Sequence, residues 1–131
     1  MADILYKELS YALISAAMEV HRVLGAGSME AVYQKALAHE LTLRGIGFEQ
    51  FKKLPVRYKG VRAGEYEADL VIEGKIILEI KAVSKLHPQH EAQAINYLKA
   101  TGFRLAVLLN ASTGLRSCFG ASSLEHRWLE K

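Results

Sequence analysis

The sequence has few of the features that mark secreted or membrane proteins. It holds one cysteine, Cys118, among 131 residues, so no disulfide can form within the chain, which is typical of the reducing cytosol. No apolar run approaches the roughly 18–20 residues that span a bilayer. The opening "MADILYKEL" lacks a basic region followed by an apolar block. We therefore expect a cytoplasmic protein with no signal peptide and no membrane partner.

The chain also lacks a strong net charge. A charge of +3 and a pI near 9.0 permit a nucleic-acid partner without requiring one. One stretch, "FKKLPVRYKGVRAG" at 51–64, is basic and contains no acid. It is either a weak phosphate-binding surface or a solvated hairpin edge that lysines keep from aggregating. Its basic residues are Lys52, Lys53, Arg57, Lys59 and Arg62.

The length of the chain fits one domain covering residues 1–131. The spacing of apolar residues predicts helices first, then period-two strands. The predicted helices span 3–24, 29–44 and 87–102, and the predicted strands span 47–59, 65–72, 75–83, 103–110 and 115–120. The polar tail after residue 121 should fray or form a last turn. This order, α-α-β-β-β-α-β-β, predicts an α/β (α+β) fold with a mixed central sheet flanked by helices.

Two neighbouring strands carry ionisable residues among apolar ones. Alternation places Glu79 and Lys81 on one face of their strand. If the apolar faces of the two strands match, through a three-residue connection at 73–75, Asp69 lies opposite Glu79. The matching pairs are Ile72 with Ile76, Leu70 with Leu78, and Ala68 with Ile80. The alternative is that all three charged residues occupy a wet sheet face and have no function.

Two carboxylates placed opposite each other repel, by roughly 0.2–1 kcal/mol when exposed and by more when buried. A divalent cation removes that repulsion, and Mg²⁺ typically binds through one or two carboxylates plus water. Lys81 cannot be a ligand as an ammonium, but it can act as a point charge beside an attacking water or a developing phosphorane. Asp69 and Glu79 are therefore candidate ligands for Mg²⁺ or Mn²⁺.

Three stretches together resemble a known family. "GSMEAVY" at 27–33 fits Gly-x-x-Glu-x-x-Tyr, the signature of the GxxExxY family of the PD-(D/E)XK nuclease superfamily, through Gly27, Glu30 and Tyr33. "YEADLVIEGKIILEIKAV" is similar to the metal-binding hairpin of that family, and "HEAQAINYLKATG" to the helix that follows. The resemblance covers about residues 5–120. It implies a restriction-endonuclease-like core in which Asp69, Glu79 and Lys81 match the D…E-x-K triad.

The resemblance implies further roles. The main-chain carbonyl of Ile80 would be an extra metal ligand, and Glu30 would complete or tune the metal site. "QAINY" matches the Gln-x-x-x-Tyr element of the RecB-like branch, so Gln93 and Tyr97, one helical turn apart, would steady the site and the substrate backbone. The alternatives are structural. Glu30 can complement the helix dipole and Tyr33 can be a core aromatic, while Tyr97 and Gln93 can be polar tips of a half-buried helix.

The histidines show no zinc-like spacing to one another and have no cysteine partners. His21 precedes the signature and can face the site as a second-shell residue, although a histidine at a helix end more often contacts carbonyl groups there. His90 is the other second-shell candidate. We treat His39, His87 and His126 as surface residues.

The leading prediction is a metal-dependent nuclease that hydrolyses phosphodiesters, with DNA expected in preference to RNA. The chain is short, so substrate choice should come from a homodimer or a protein partner. The alternative is a non-catalytic nucleic-acid-binding or protein-interaction module that retains the fold. It predicts binding that weakens steeply with salt but no turnover. A third interpretation, a structural protein with solvated acids, predicts no metal binding.

Overall fold

The computed structural model describes residues 6–85, 87–113, 116–120 and 127–130. The elements in these ranges are α1 (Lys7–Leu24), α2 (Glu30–Leu43), β1 (Phe48–Tyr58), β2 (Val61–Ile72), β3 (Ile76–Lys81), α3 (Pro88–Thr101), β4 (Leu105–Asn110), β5 (Arg116–Gly120) and β6 (Arg127–Glu130). The predicted order is confirmed through β5. The expectation of a frayed tail is wrong for 127–130, which pairs with β5 as β6. The predicted first residues of α1, at 3–5, and His126 lie outside the described residues.

The strands form a mixed sheet in the order β1-β2-β3-β4-β5-β6. Strands β3 and β4 run parallel, because α3 carries the chain across the sheet between them, and the other neighbouring pairs are antiparallel. Pro55 lies in β1, an edge strand, next to a register shift between Val56 and Arg57. This agrees with the confinement of proline to edge strands and bulges.

Helices cover both faces of the sheet, as the apolar spacing predicts. On one face α1 and α2 pack on the sheet through residues such as Leu13, Leu37 and Leu41. On the other face α3 packs through Ala94 and Leu98. No helix among the described residues is long and apolar enough to cross a membrane.

The β2–β3 hairpin is closed by the predicted three-residue connection. Glu73 and Gly74 both have left-handed backbone angles, and the Lys75 amide donates to the Ile72 carbonyl at 2.9 Å. Two consecutive left-handed residues are the requirement of the type I′ turn, whose twist suits a hairpin. The resulting register pairs Ile72 with Ile76 and Leu70 with Leu78, as predicted.

The alternation of β2 is interrupted at Asp69. Leu70 packs on the α1–α2 side of the sheet, whereas Ala68 packs on the α3 side. The prediction that Ala68 shares the face of Leu70 is therefore wrong. Between β1 and β2 the ladder pairs Gln50 with Leu70 and Lys52 with Ala68, but skips Phe51 and Asp69. The pairing between β1 and β2 is therefore interrupted at Asp69, the residue whose carboxylate is the predicted metal ligand.

Candidate active site

The carboxylates of Asp69 and Glu79 meet where the β2–β3 ladder ends. The Ile80 amide donates to Asp69 Oδ2 at 2.8 Å, and the Asp69 amide lies 3.3 Å from Glu79 Oε2. Each carboxylate therefore reaches across to the backbone of the opposite strand. The break in the alternation of β2 allows this, because it turns the Asp69 side chain toward β3 instead of leaving it on a flat sheet face.

Glu79 is a buried acid, with 8% of its surface exposed. Desolvation, followed by the negative charge of Asp69, raises its pKa to about 7. The hydroxyl of Tyr66 donates to Glu79 Oε2, which favours the ionised form and opposes part of that shift. Near neutral pH this carboxyl is poised between its two protonation states, so a nearby cation would draw it into the ionised form.

Asp69 and Lys81 complete the charged group. Desolvation raises the pKa of Asp69, while the hydrogen bond from the Ile80 amide and the positive charge of Lys81 act in the opposite direction. Lys81 also stabilises ionised Glu79. The structure thus brings the three predicted triad residues within electrostatic reach of one another.

The side chain of Tyr97 reaches the candidate site from α3, whereas the side chain of Gln93 is not buried. The ring of Tyr97 stacks on Tyr66 with centroids 3.5 Å apart and planes at 21°. Desolvation, then the charges of Glu79 and Asp69, raises the pKa of Tyr97 and keeps its hydroxyl protonated. Gln93 is exposed one turn earlier on the same helix. Tyr97 supports the site through Tyr66.

The signature residues in and before α2 separate into different surroundings. Glu30 is exposed at the start of α2, and its Oε2 accepts from the Ala82 amide at 3.2 Å, just beyond Lys81. Its charge also raises the pKa of Asp69. Tyr33 is a core aromatic whose hydroxyl donates to the Ala17 carbonyl at 3.2 Å. Gly27 has φ +87 in the loop before α2, a conformation that favours glycine.

Three residues that support the site were missed from the sequence. The hydroxyl of Tyr66 donates a hydrogen bond to Glu79. The side-chain amide of buried Gln34 donates to the Asp69 carbonyl at 3.0 Å, and this contact connects α2 to β2. Asn110, also buried, accepts from the Val83 amide at 3.2 Å and donates to the Val83 carbonyl at 2.8 Å. A polar residue ending the apolar run "LAVLLN" is a signal for Asn110, and a helical wheel places Gln34 beside Leu37.

The predicted basic surface lies along the β1–β2 hairpin. Lys52 pairs with Glu49 at 3.0 Å, and Arg62 pairs with Glu65. Lys53, Arg57 and Lys59 are exposed on the same hairpin. Two of the five cations are thus partly neutralised by neighbouring acids.

The two histidines predicted to lie around the metal site, His21 and His90, are near helix ends. His90 Nδ1 accepts from the His87 amide at 3.0 Å in a capping box at the start of α3. His21 lies in the last turn of α1, and its Nδ1 is buried with no hydrogen-bond partner among the described residues. His90 therefore has a structural role at the start of α3.

The residues of the candidate site suit a metal ion that takes a few oxygen ligands from the protein. Among the described residues, no three His, Cys, Asp or Glu side chains form a group placed to hold a metal ion. Two carboxylates remain, and the pKa of Glu79 is raised first by desolvation and then by the negative charge of Asp69. Mg²⁺ accepts such a site, because it binds through one or two carboxylates and keeps several waters.

A family model decides the classification. Residues 7–118 match the model of the PD-(D/E)XK nuclease superfamily, which covers most of the chain. The chain belongs to the PD-(D/E)XK nuclease superfamily. No curated protein matches it.

Members of the PD-(D/E)XK nuclease superfamily typically use divalent metals, and their substrates are nucleic acids. The mixed sheet flanked by helices is consistent with the restriction-endonuclease-like fold of that superfamily. The match to the superfamily indicates a nuclease.

Proposed function

We propose that this protein is a Mg²⁺- or Mn²⁺-dependent nuclease whose metal ligands are the carboxylates of Asp69 and Glu79. The supporting observation is their convergence at the opened end of the β2–β3 ladder, through the Ile80–Asp69 and Asp69–Glu79 contacts of 2.8 and 3.3 Å. The carbonyl of Ile80 would be a third ligand. Glu30, held at the Ala82 amide, would tune the site from the end of β3.

A divalent metal held by Asp69 and Glu79 would supply Lewis-acid polarisation of a phosphoryl oxygen and stabilisation of the leaving alkoxide. The chain's own groups do the rest. Lys81, whose positive charge acts on both carboxylates, would donate hydrogen bonds that orient the attacking water toward phosphorus. Tyr66 and Tyr97 exclude water from one side of Glu79. Asn110 fixes the backbone that follows Lys81.

Finer assignments belong to the same proposal. The positions of Gly27, Glu30 and Tyr33 support membership of the GxxExxY family within the superfamily. Gln93 and Tyr97 support a RecB-like site. We propose DNA as the substrate and the β1–β2 hairpin as the surface that follows the phosphates. We also propose that a homodimer or a partner protein contributes to substrate choice.

The experiment combines metal titration with cleavage. Mn²⁺ is titrated calorimetrically into wild type, Asp69→Asn, Glu79→Gln and Lys81→Ala, and each protein is assayed on generic single- and double-stranded DNA and RNA. We expect Asp69→Asn and Glu79→Gln to lose roughly tenfold or more in metal affinity. Lys81→Ala should retain metal binding and lose cleavage by about 100-fold or more.

Glu8→Gln is the matched control, because Glu8 is an exposed acid on α1, a helix that contributes no residue to the candidate site. It should bind metal and cleave as wild type does. Equal metal affinity in wild type, Asp69→Asn and Glu79→Gln would refute the site. Metal binding without cleavage of any substrate would favour the non-catalytic module.

A further inference from the structure

A groove of about 490 Å³ opens beside Asp69, between α2 and the edge strand β1. Its volume lies in the range of small-molecule sites. Asp69 and Glu30 line the end of the groove near the candidate metal site. A phosphate held at that site would therefore place its neighbouring nucleoside in the groove.

Phe51 forms an aromatic wall of this groove in a strained conformation. Its φ of +52 is left-handed, which is uncommon for a bulky residue and carries an energetic cost. The side chain is 56% exposed, although aromatic residues usually gain by burial. The β1–β2 ladder skips Phe51 together with Asp69. The same interruption of the sheet thus displays both the aromatic ring and the predicted metal ligand.

The polar groups around Phe51 suit a nucleobase. Gln50 presents an exposed side-chain amide, and Lys35 presents an exposed ammonium group. Gln34 is held rigidly by its 3.0 Å hydrogen bond to the Asp69 carbonyl. An amide can both donate to and accept from the edge of a base, and an exposed ring offers a face for stacking. The acids at the inner end disfavour an unneutralised phosphate, so the base occupies the groove.

We propose that this groove binds one unpaired nucleobase next to the scissile phosphate, with Phe51 as its stacking platform, so that the substrate is single-stranded nucleic acid. A base within a duplex is paired and stacked on both faces, and it cannot enter a side groove without leaving the helix. This inference rests on the proposed nuclease function for the position of the phosphate. The groove itself is a property of the described residues alone.

The test measures binding of the full chain, by fluorescence anisotropy with Ca²⁺ in place of Mg²⁺ so that the probes stay intact, to three labelled probes of equal length: a single-stranded DNA oligonucleotide, its duplex, and a backbone of abasic sites. Wild type should prefer the single strand to both other probes. Phe51→Ala should lose about tenfold in affinity for the single strand, as expected for one stacked base. It should bind the abasic probe as wild type does. Phe51→Trp should retain single-strand affinity.

Tyr11→Ala is the matched control, because Tyr11 is 51% exposed on α1 and neither lines the groove nor lies on the β1–β2 hairpin. It should leave all three affinities unchanged. Equal loss on the single-stranded and abasic probes in Phe51→Ala, or wild-type affinity of Phe51→Ala for the single strand, would overturn the groove proposal. Preference of the wild type for the duplex would overturn it as well.

Cleavage assays separate this proposal from the proposed function. If Phe51→Ala weakens single-strand binding but no variant or wild type cleaves DNA or RNA, the base site stands and the nuclease assignment fails. If wild type cleaves duplex and single strand equally, with Phe51→Ala indistinguishable from it, the nuclease assignment stands and the base site fails.

Discussion

At the scale of single residues, Glu79 has a carboxyl group that the folded chain holds away from water. Its strand supplies apolar neighbours, Tyr66 covers one oxygen, and Asp69 adds a like charge beside it. The unfolded chain would leave the same carboxyl in water. The two states therefore bind its proton with different strength, and this difference appears in the stability of the protein.

We predict that the metal-free protein is more stable at pH 5 than at pH 8. Folding raises the pKa of Glu79 from 4.5 to about 7. Between these values the folded state holds more protons than the unfolded state, so the free energy of unfolding falls as pH rises, by an amount on the order of 2 kcal/mol. The raised pKa of Asp69 acts in the same direction. Thermal unfolding in a chelator, from pH 5 to pH 8, measures the slope.

Glu79→Gln should flatten that slope, because the amide does not titrate, while Glu8→Gln, at an exposed position of α1, should retain it. Added Mn²⁺ should stabilise wild type more at pH 8 than at pH 5. A wild-type stability that rises from pH 5 to pH 7, unaffected by Glu79→Gln, would contradict the burial of this carboxyl.

Sequence patterns identify the candidate catalytic residues more readily than the residues that hold those side chains in position. Asp69, Glu79 and Lys81 stand out because charged residues are rare between buried strand positions. Tyr66 does not stand out, because an aromatic residue in a strand is expected whether or not its hydroxyl reaches an acid. The partner of a hydroxyl depends on the fold, and the spacing of residues along the chain does not contain that information.

At the scale of elements, the end of β3 depends on β4. Strand β3 stops at Lys81, and the next residues continue beside Asn110 through the two hydrogen bonds between that side chain and Val83. The Asn110 oxygen also accepts from the Ser112 amide at 3.1 Å. The buried side chain of Asn110 thus supplies the hydrogen bonds to Val83 that a continued strand pairing would otherwise provide.

We predict that Asn110→Ala destabilises the protein by roughly 2–3 kcal/mol, because it leaves the amide and carbonyl of Val83 without these partners. Cleavage should fall as well, since Lys81 is two residues from Val83. Urea unfolding measures the first effect. Asn96→Ala, at an exposed position of α3, is the control and should change stability by about 0.5 kcal/mol or less. Equal midpoints for the two variants would show that Asn110 has no structural role.

The boundaries of the elements follow from the sequence where one period holds throughout. In β3, the alternation of Ile76, Leu78 and Ile80 gives both the strand and its register. In β2 the alternation predicts the wrong face for Ala68, because the interruption at Asp69 reverses it. No residue type near 69 signals that reversal. Phe51, on the neighbouring strand β1, has a left-handed φ that tertiary contacts determine and that its local sequence does not predict.

At the scale of the whole molecule, charge is arranged along one hairpin. The cations exposed on β1 and its turn lie on the strand that also bears Phe51. A single strand with one base in the groove can extend along this hairpin. The net charge of +3 alone would not have located this surface.

We predict that the double variant Lys53→Gln/Arg57→Gln weakens binding to single-stranded DNA and reduces its salt dependence. Each lost phosphate contact should lower the slope of log affinity against log salt by about 0.7. Anisotropy titrations between low and moderate salt measure it. Lys99→Gln, an exposed lysine on α3, should leave the slope unchanged. An unchanged slope in the double variant would instead assign this hairpin the role of a solvated edge.

The arrangement of helices and strands through β5 follows from the sequence, because amphipathic periods and turn residues agree along most of the chain. The strand at 127–130 does not follow, since its pairing partner β5 decides its conformation. Local propensity cannot supply a pairing partner that lies about ten residues away along the chain.

Pro55 has a consequence for how copies of this protein meet. A proline in β1 leaves its nitrogen without a hydrogen to offer, and the neighbouring shift at Val56 and Arg57 bends the strand. The free edge of β1 is therefore interrupted, so a second chain cannot pair along it as an additional strand of the sheet. An assembly of two copies would have to use a surface other than the edge of β1, and the groove beside Phe51 would stay open to incoming nucleic acid.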